Sequence, residues 1–493
     1  MSAADLIYLD HAATTPVDAR VAAQMLSCLG EDGDFGNPAS AHRFGRVARA
    51  RVEAARARVA ALIGAPAQDV IFTSGATEAD NLAILGLTRG ALALNPGRAR
   101  HVITARTEHK AVLDPCRQLE REGCAVTYLV PDREGRVVPD QLRAAFRPDT
   151  VLVSLMHANN EIGTIQDIAA FGALCRAHGA ALHVDAAQSA GKLPIDVLPM
   201  RVDLLSFTAH KLYGPKGVGA LYVHPGRRAG LQPLMFGGGH ERGLRSGTLP
   251  VHQIVGFGAA CELAAAERAA DSARYEILQQ RLWEGLADLP GVLRNSPAVG
   301  SLPGILNISF TGIEGESLLF GLAELAVASG SACNSDSDEP SYVLRALGRD
   351  REAAQSALRF SFGRGTTVSQ IDRAIAAVRS EVLRLRAIAG GGVARPEQGT
   401  WVRFMLHAEH GTIVAATHQA YGCPHTLAVC DWLCRQLVGR TVAAPGVGGP
   451  QDWLRQLGIP LDRLTRLLAV EDALRAALDE SARPDPDRRT MPG

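Results

Sequence analysis

The chain has 493 residues, too many for a single hydrophobic core, so two or three domains are expected. Hydrophobic residues make up 47% and charged residues 21%, the balance of an ordinary folded soluble chain rather than a disordered one. Lysine plus arginine equals aspartate plus glutamate at 51 each, which excludes an overall field drawing the chain to nucleic acid or to an anionic membrane, and partners must be chosen locally.

In chain order, "MSAADLIYLDHAATTP" lacks a basic segment followed by a long apolar one, and no later apolar run reaches the length of a membrane span. "DVIFTSGATEADNLAILGL" then reads as a short strand, a turn and a helix. "HVITARTEHKAVLDPCRQLEREGCAVTYLVP" repeats strand, turn, helix and strand, and "TVLVSLMHANNEIG" and "AALHVDAAQSAG" are further apolar runs that stop at polar turns. This alternation predicts an α/β fold, a mainly parallel sheet with helices on both faces and its ligand beyond the carboxyl ends of the strands.

From about residue 262 the pattern becomes a long helix, "ELAAAERAADSARYEILQQRLWEGLADL", followed by the short strands "GILNISF" and "ALRFSFG" mixed with helices. That predicts a smaller α+β domain. "AIAGGGVARPEQGT" has the composition of a linker, and "SARPDPDRRTMPG" that of a disordered tail. The expected division is a large domain over 16–261, a small domain from 1–15 and 262–388, a linker over 389–400, a third unit over 401–480 and a tail over 481–493. The nine cysteines form no CxxC pair and no regular framework, which fits a reducing cytoplasm and mostly buried thiols.

Chemistry concentrates in the polar turns. "TSGATEADN" offers small residues and hydroxyls at a helix N-terminus, suited to an anion such as phosphate, although capping by Ser74 or Thr77 explains it equally well. Asp185 in "HVDAAQ" ends an apolar strand, where a carboxylate needs a cation, a salt bridge or a turn to cap. His109 in "TEHK" stands at another strand end, where it also suits a helix cap, and "HANNEIG" adds Asn159 and Asn160. "SFTAHKLYGPKG" places Lys211 on a further turn. A phosphate cup, an acid, an imidazole and a lysine at successive strand ends suit pyridoxal phosphate, with Lys211 joined to its aldehyde and the acid keeping its ring nitrogen protonated.

Residues 1 to about 390 resemble bacterial cysteine desulfurases of the IscS/NifS type, class V members of the aminotransferase-like pyridoxal phosphate enzymes of fold type I. The resemblance runs through "YLDHAATTP", "GNPASAHRFG", "TSGATEADNLAI", "HANNEIGTIQDI", "HVDAAQSAGK", "HKLYGPKGVGALYV", "RSGTLP", "GSACNSDSDEPSYVLRALG" and "ALRFSFGR". It implies that Lys211 holds the cofactor and moves protons, that His109 stacks on its ring and assists proton transfer, and that Asp185 partners the ring nitrogen. By the same resemblance Asn160 and Gln188 bond the phenolic oxygen, and Ala76, Thr77, Thr208 and His210 surround the phosphate. Thr248 corresponds to a residue that reaches the partner subunit's phosphate, which implies a homodimer. Thr208 stands where the family more often has serine, and the hydroxyl survives.

Cys333 sits among small and acidic residues, a loop composition, and corresponds to the family's sulfur-carrying cysteine. Arg359 matches the arginine that grips the substrate carboxylate, with Asn160 beside it. The implied reaction turns L-cysteine into L-alanine and leaves a persulfide on Cys333, which passes to a sulfur-acceptor or scaffold protein for iron-sulfur cluster assembly or thiolation. No direct nucleic-acid or membrane partner is expected. A selenocysteine lyase, another class V activity and a non-catalytic assembly platform are the alternatives; the loop carrying Cys333 and the filled catalytic positions count against them.

The C-terminal unit, from "GTWVRFMLHAEH" through "LTRLLAVEDALRAALDE", resembles the scaffold family of IscU and the NifU N-terminal domain over about 85 residues. Of that family's three cysteine positions only Cys423 is filled; the others fall near Gly399 and Thr400 and at Arg466, with Thr465 replacing the usual histidine. One thiolate cannot hold a cluster that needs about four ligands, so the unit is expected to be a degenerate scaffold that either accepts sulfur at Cys423 or serves for docking or regulation. Cys430 and Cys434, four apart on a predicted helix near His425, could face a metal together, but their leucine and valine neighbours favour burial, and no metal is expected.

Overall fold

The computed structural model describes residues 6–94, 100–329, 339–389, 393–395 and 400–481. Its centre is a seven-stranded sheet in the order Val70–Thr73, Gly219–Val223, Leu204–Thr208, Ala181–Asp185, Thr150–Met156, His101–Ala105 and Ala125–Leu129. All pairings are parallel except those of Gly219–Val223, which runs against both of its neighbours. Consecutive residues feed opposite faces: Phe72, Ile103, Val153 and Leu205 enter one core cluster, while Ile71, Val102, Leu152 and Leu204 enter the other. A sheet buried on both faces must be written as continuous apolar runs, and these strands are.

The helix Val251–Leu286 connects this part to the smaller one. It begins 11 residues before the expected long helix at 262, so the boundary expected at 261 falls inside a continuous helix. Its glycines read as helix weakeners, yet Gly258 is a packing residue: a Cβ there would lie 2.7 Å from Ala55 Cα on the helix Arg43–Leu62. The smaller part carries an antiparallel sheet in the order Ala328–Ser329, Ala357–Ser361, Ile305–Phe310 and Val292–Arg294. Ile7–Tyr8 pairs with Leu325–Ala326, which places the N-terminal segment with this part.

The C-terminal unit has a three-stranded antiparallel sheet of Val393–Arg395, Thr400–Glu409 and Thr412–Tyr421, covered by the helices Pro424–Leu437 and Leu464–Ser481. Val393–Arg395 lies in the stretch expected to be linker and is instead an edge strand paired with Thr400–Glu409. Val402 and Phe404 face the unit's own core, whereas Trp401 and Tyr421 join the core of the small domain. The tail expected over 481–493 lies, beyond Ser481, outside the described residues. No helix among the described residues is long and apolar enough to cross a membrane.

Candidate active site

A cavity of about 650 Å³ opens beyond the carboxyl ends of the central strands. Lys211 lines it from a 3₁₀ turn, Ala209–Lys211, that directly follows the strand Leu204–Thr208. Asp185 closes the adjacent strand, Ala181–Asp185, and lines the cavity, and its Oδ1 accepts the Ala187 N–H at 2.8 Å, which caps the turn. His109 caps the helix Lys110–Arg121 by accepting the Ala111 N–H at Nδ1, 3.1 Å away. Burial lowers the proton affinity of its imidazole and keeps it neutral.

The wall carries groups that await a partner. Asn160 Oδ1 and Arg359 Nε are buried and without a hydrogen-bond partner among the described residues. Arg359 is otherwise fixed: Nη2 donates to Asp10 Oδ1 at 2.7 Å and Nη1 to the Asn160 carbonyl at 2.8 Å. Gln188 donates from Nε2 to the Ala12 carbonyl at 2.8 Å, while its Oε1 accepts from Lys192 at 3.2 Å. Ala76 and Thr77 start the helix Ala76–Asn81 at the cavity, with Thr208 and His210 lining it beside them. Burial, with the Lys211 charge, holds His210 near 4 and therefore neutral. Thr248 does not line this cavity and is exposed; its "RSGT" segment is tied to the cavity rim by the Arg245–Glu78 ion pair at 2.9 Å.

These residues suit pyridoxal phosphate: a lysine just past a strand end, a strand-end acid, a neutral imidazole, unpartnered buried polar atoms and a helix start without a side-chain cap converge on a space of the right size. Four participants escaped the sequence reading. Asp10 orients Arg359, and Lys192 orients Gln188. Asp80 and Glu108 are buried beside Asp185, where desolvation and then, as the leading charge effect, Asp185 hold both carboxyls protonated far above the usual range.

Cys333 lies outside the described residues, but the chain on either side of it does not. The strand Ala328–Ser329 pairs with Ala357–Ser361 so that Ala328 stands opposite Arg359. On the other side Ser341 donates to Glu161 Oε2 at 2.5 Å, and Tyr342 donates to the Glu108 carbonyl at 2.8 Å. One flank is therefore paired to the cavity-lining Arg359, and the other is bonded to the residues next to the lining His109 and Asn160.

Cys423, on the other hand, is 1% exposed and sits at the start of the helix Pro424–Leu437, its Sγ 3.4 Å from Thr426 Oγ1. Cys430 is fully buried in the C-terminal core, and Cys434 lies 3.6 Å from His418 Nδ1 rather than joining Cys430 and His425 in a cluster. No group of three metal-ligating side chains forms among the described residues. Arg466 reaches Glu316 of the small domain at 3.8 Å.

The family model of class V aminotransferases matches residues 7–374. The chain is 56% identical over 384 residues to the cysteine desulfurase IscS of Pectobacterium atrosepticum, covering 78% of this chain and 94% of that one, and matches the IscS of Enterobacter sp. strain 638 equally well. Among solved structures it resembles a NifS-like protein at a TM-score of 0.70 and 37% identity, over 76% of this chain and 98% of that one. It also resembles SspA in complex with cysteine at a TM-score of 0.65 and 39% identity, over 72% of this chain and 98% of that one.

Proposed function

The chain belongs to the class V aminotransferase family and is a pyridoxal-phosphate-dependent cysteine desulfurase that converts L-cysteine to L-alanine; from this premise we propose that Lys211, His109, Arg359 and Cys333 perform the reaction. The observation that carries the assignment is the convergence of Lys211, Asp185, His109 and Arg359 on one cavity from four separate strand ends or strands. Asn160, Asp185, Gln188 and the cup of Ala76, Thr77, Thr208 and His210 would hold the cofactor. Joined to Lys211, pyridoxal phosphate supplies an electron sink for the charge that develops at the substrate's Cα.

The protein's own groups do the rest. Arg359, with two of its nitrogens already fixed, presents Nε to the L-cysteine carboxylate and so sets which Cα–H points at Lys211. Lys211 removes the Cα proton and returns it. His109, neutral because buried, can take the thiol proton of the substrate. The Cys333 thiolate then attacks the substrate sulfur: an S–S bond forms as the C–S bond breaks, and a proton completes the methyl group of alanine. The sulfur leaves as a persulfide to an acceptor protein serving iron-sulfur assembly or thiolation in the cytoplasm.

Thr248, exposed on a segment fastened beside the phosphate cup, supports a homodimer in which it completes the partner's cup. For the C-terminal unit the burial of Cys423 favours docking or regulation over sulfur acceptance. Cys423→Ser should leave sulfur transfer unchanged; a loss would restore the acceptor role.

The direct test is near-visible absorbance of the purified protein together with alanine release from L-cysteine and a reductant. Lys211→Ala should lose both, and Cys333→Ala should keep the absorbance and lose the release. A wild type that binds the cofactor yet releases alanine no faster than Cys333→Ala would refute the sulfur-carrying role of Cys333.

A further inference from the structure

Lys211 lines a second, smaller chamber of about 40 Å³ as well as the main cavity, and Lys192 reaches this chamber from the turn after Ala181–Asp185. The chamber has room for one or more water molecules, each needing at least about 10–15 Å³. Lys192 donates to the neutral Gln188 amide at 3.2 Å. The one acid lining the chamber among the described residues, Asp271 on the long helix, is already held by Arg364 at 2.8 Å and Arg274 at 3.2 Å.

The other groups facing Lys192 are cations or neutral. Lys211 comes from the turn after Leu204–Thr208 and Arg359 from Ala357–Ser361, and both repel its charge. His11 and His210 feel that charge in turn, and burial keeps both near 4. Arg268, Arg364, Tyr213 and Tyr275 complete the chamber wall. Two amines thus line one small space whose single acid is already ion-paired, while Asp80 and Asp185 line the main cavity on the other side of Lys211, and a proton on either amine raises the cost of a proton on the other. Burial first, then Lys211 and Arg359, push the Lys192 ammonium down to about 7.

We propose that Lys192 is a positioning residue for Lys211: a second amine that takes up the proton Lys211 must shed to act as a base, and that fixes the Gln188 amide against the cofactor. Only N–H bonds are made and broken, and the proton passes between two amines of the same chamber. This rests on the reading of Lys211 as the cofactor lysine.

The test uses the full-length holoenzyme with Lys192→Met and Lys192→Arg. Two midpoints are measured: the acid limb of kcat/KM for L-cysteine and the pH titration of the cofactor's near-visible absorbance. Removing the like charge should raise both midpoints by about one pH unit in Lys192→Met, while the permanent charge of Lys192→Arg should leave them at or below the wild-type values. If Lys192→Met does not fold, Lys192→Gln makes the same comparison. Unmoved midpoints in the neutral variant overturn the proposal, as does an equal rise in Lys192→Arg, which would mark a packing effect. A wild type without the absorbance band overturns the cofactor reading along with it, whereas a normal band with unmoved midpoints overturns this proposal alone.

Discussion

Arg359→Lys isolates how substrate is held. In the wild type two of the three guanidinium nitrogens are committed, Nη2 to Asp10 at 2.7 Å and Nη1 to the Asn160 carbonyl at 2.8 Å, and only Nε is buried without a partner. Lysine keeps the charge and can satisfy Asp10, but it has no planar fork to serve three directions at once. The lost interaction is one charge-assisted hydrogen bond to the substrate carboxylate, worth about 1.5–3 kcal/mol, or roughly a 10- to 150-fold fall in kcat/KM. The fall should lie mostly in KM, because the carboxylate is bound alike before and during reaction. Alanine formation measured against L-cysteine concentration gives both constants, and unchanged near-visible absorbance shows that the cofactor site is intact. A kcat/KM within about threefold of wild type would refute the idea that Nε is the carboxylate's partner.

Two further outcomes follow from buried groups. Burial pushes the Glu161 carboxyl up to about 7, so its contribution to stability is complete below about 4.5 and is lost as pH rises through 7; the melting temperature of Glu161→Gln should therefore gain on wild type between pH 5 and 8, and a constant difference would contradict the assignment. Ser317 both donates to the Gly422 carbonyl at 2.5 Å and accepts its N–H at 2.6 Å, so Ser317→Ala should weaken the seam to the C-terminal unit by about 1–3 kcal/mol, seen as faster proteolysis there with alanine production unchanged.

The central strands were legible because burial on both faces forces unbroken apolar runs, and the site because each strand ends abruptly in a polar turn. Asp185 and His109 show why the modest readings of single residues did not compete with the chemical one: each caps its local backbone with one atom and presents the rest of its side chain to the cavity. Asp80, Glu108 and Lys192 were not legible, since nothing local marks them. Asp80 lies in a short helix that looks exposed in sequence, and it is buried only because strands more than 70 residues away in the chain close over it. The start of the long helix was missed for a related reason: Gly258 weakens a helix in isolation but permits close contact with Ala55 here.

The C-terminal unit is held by more than its covalent link. On adjacent strands Trp401 and Tyr421 stand opposite each other, stacked at 6.2 Å, and both sink into the small domain's core, while Val402 and Phe404 point the other way into the unit's own. Extracting a fully buried tryptophan costs several kcal/mol, about 3–5 by the truncation rule, so the unit is part of the folded body and not a freely tethered passenger. Its contact helix on the small domain, Gly315–Gly321, also packs against Ala328–Ser329, the strand that leads toward Cys333. The Ser317–Gly422 bonds and the Glu316–Arg466 ion pair cover one face of that helix. The seam, rather than the buried Cys423, is thus where the C-terminal unit meets the part of the small domain that carries Ala328–Ser329.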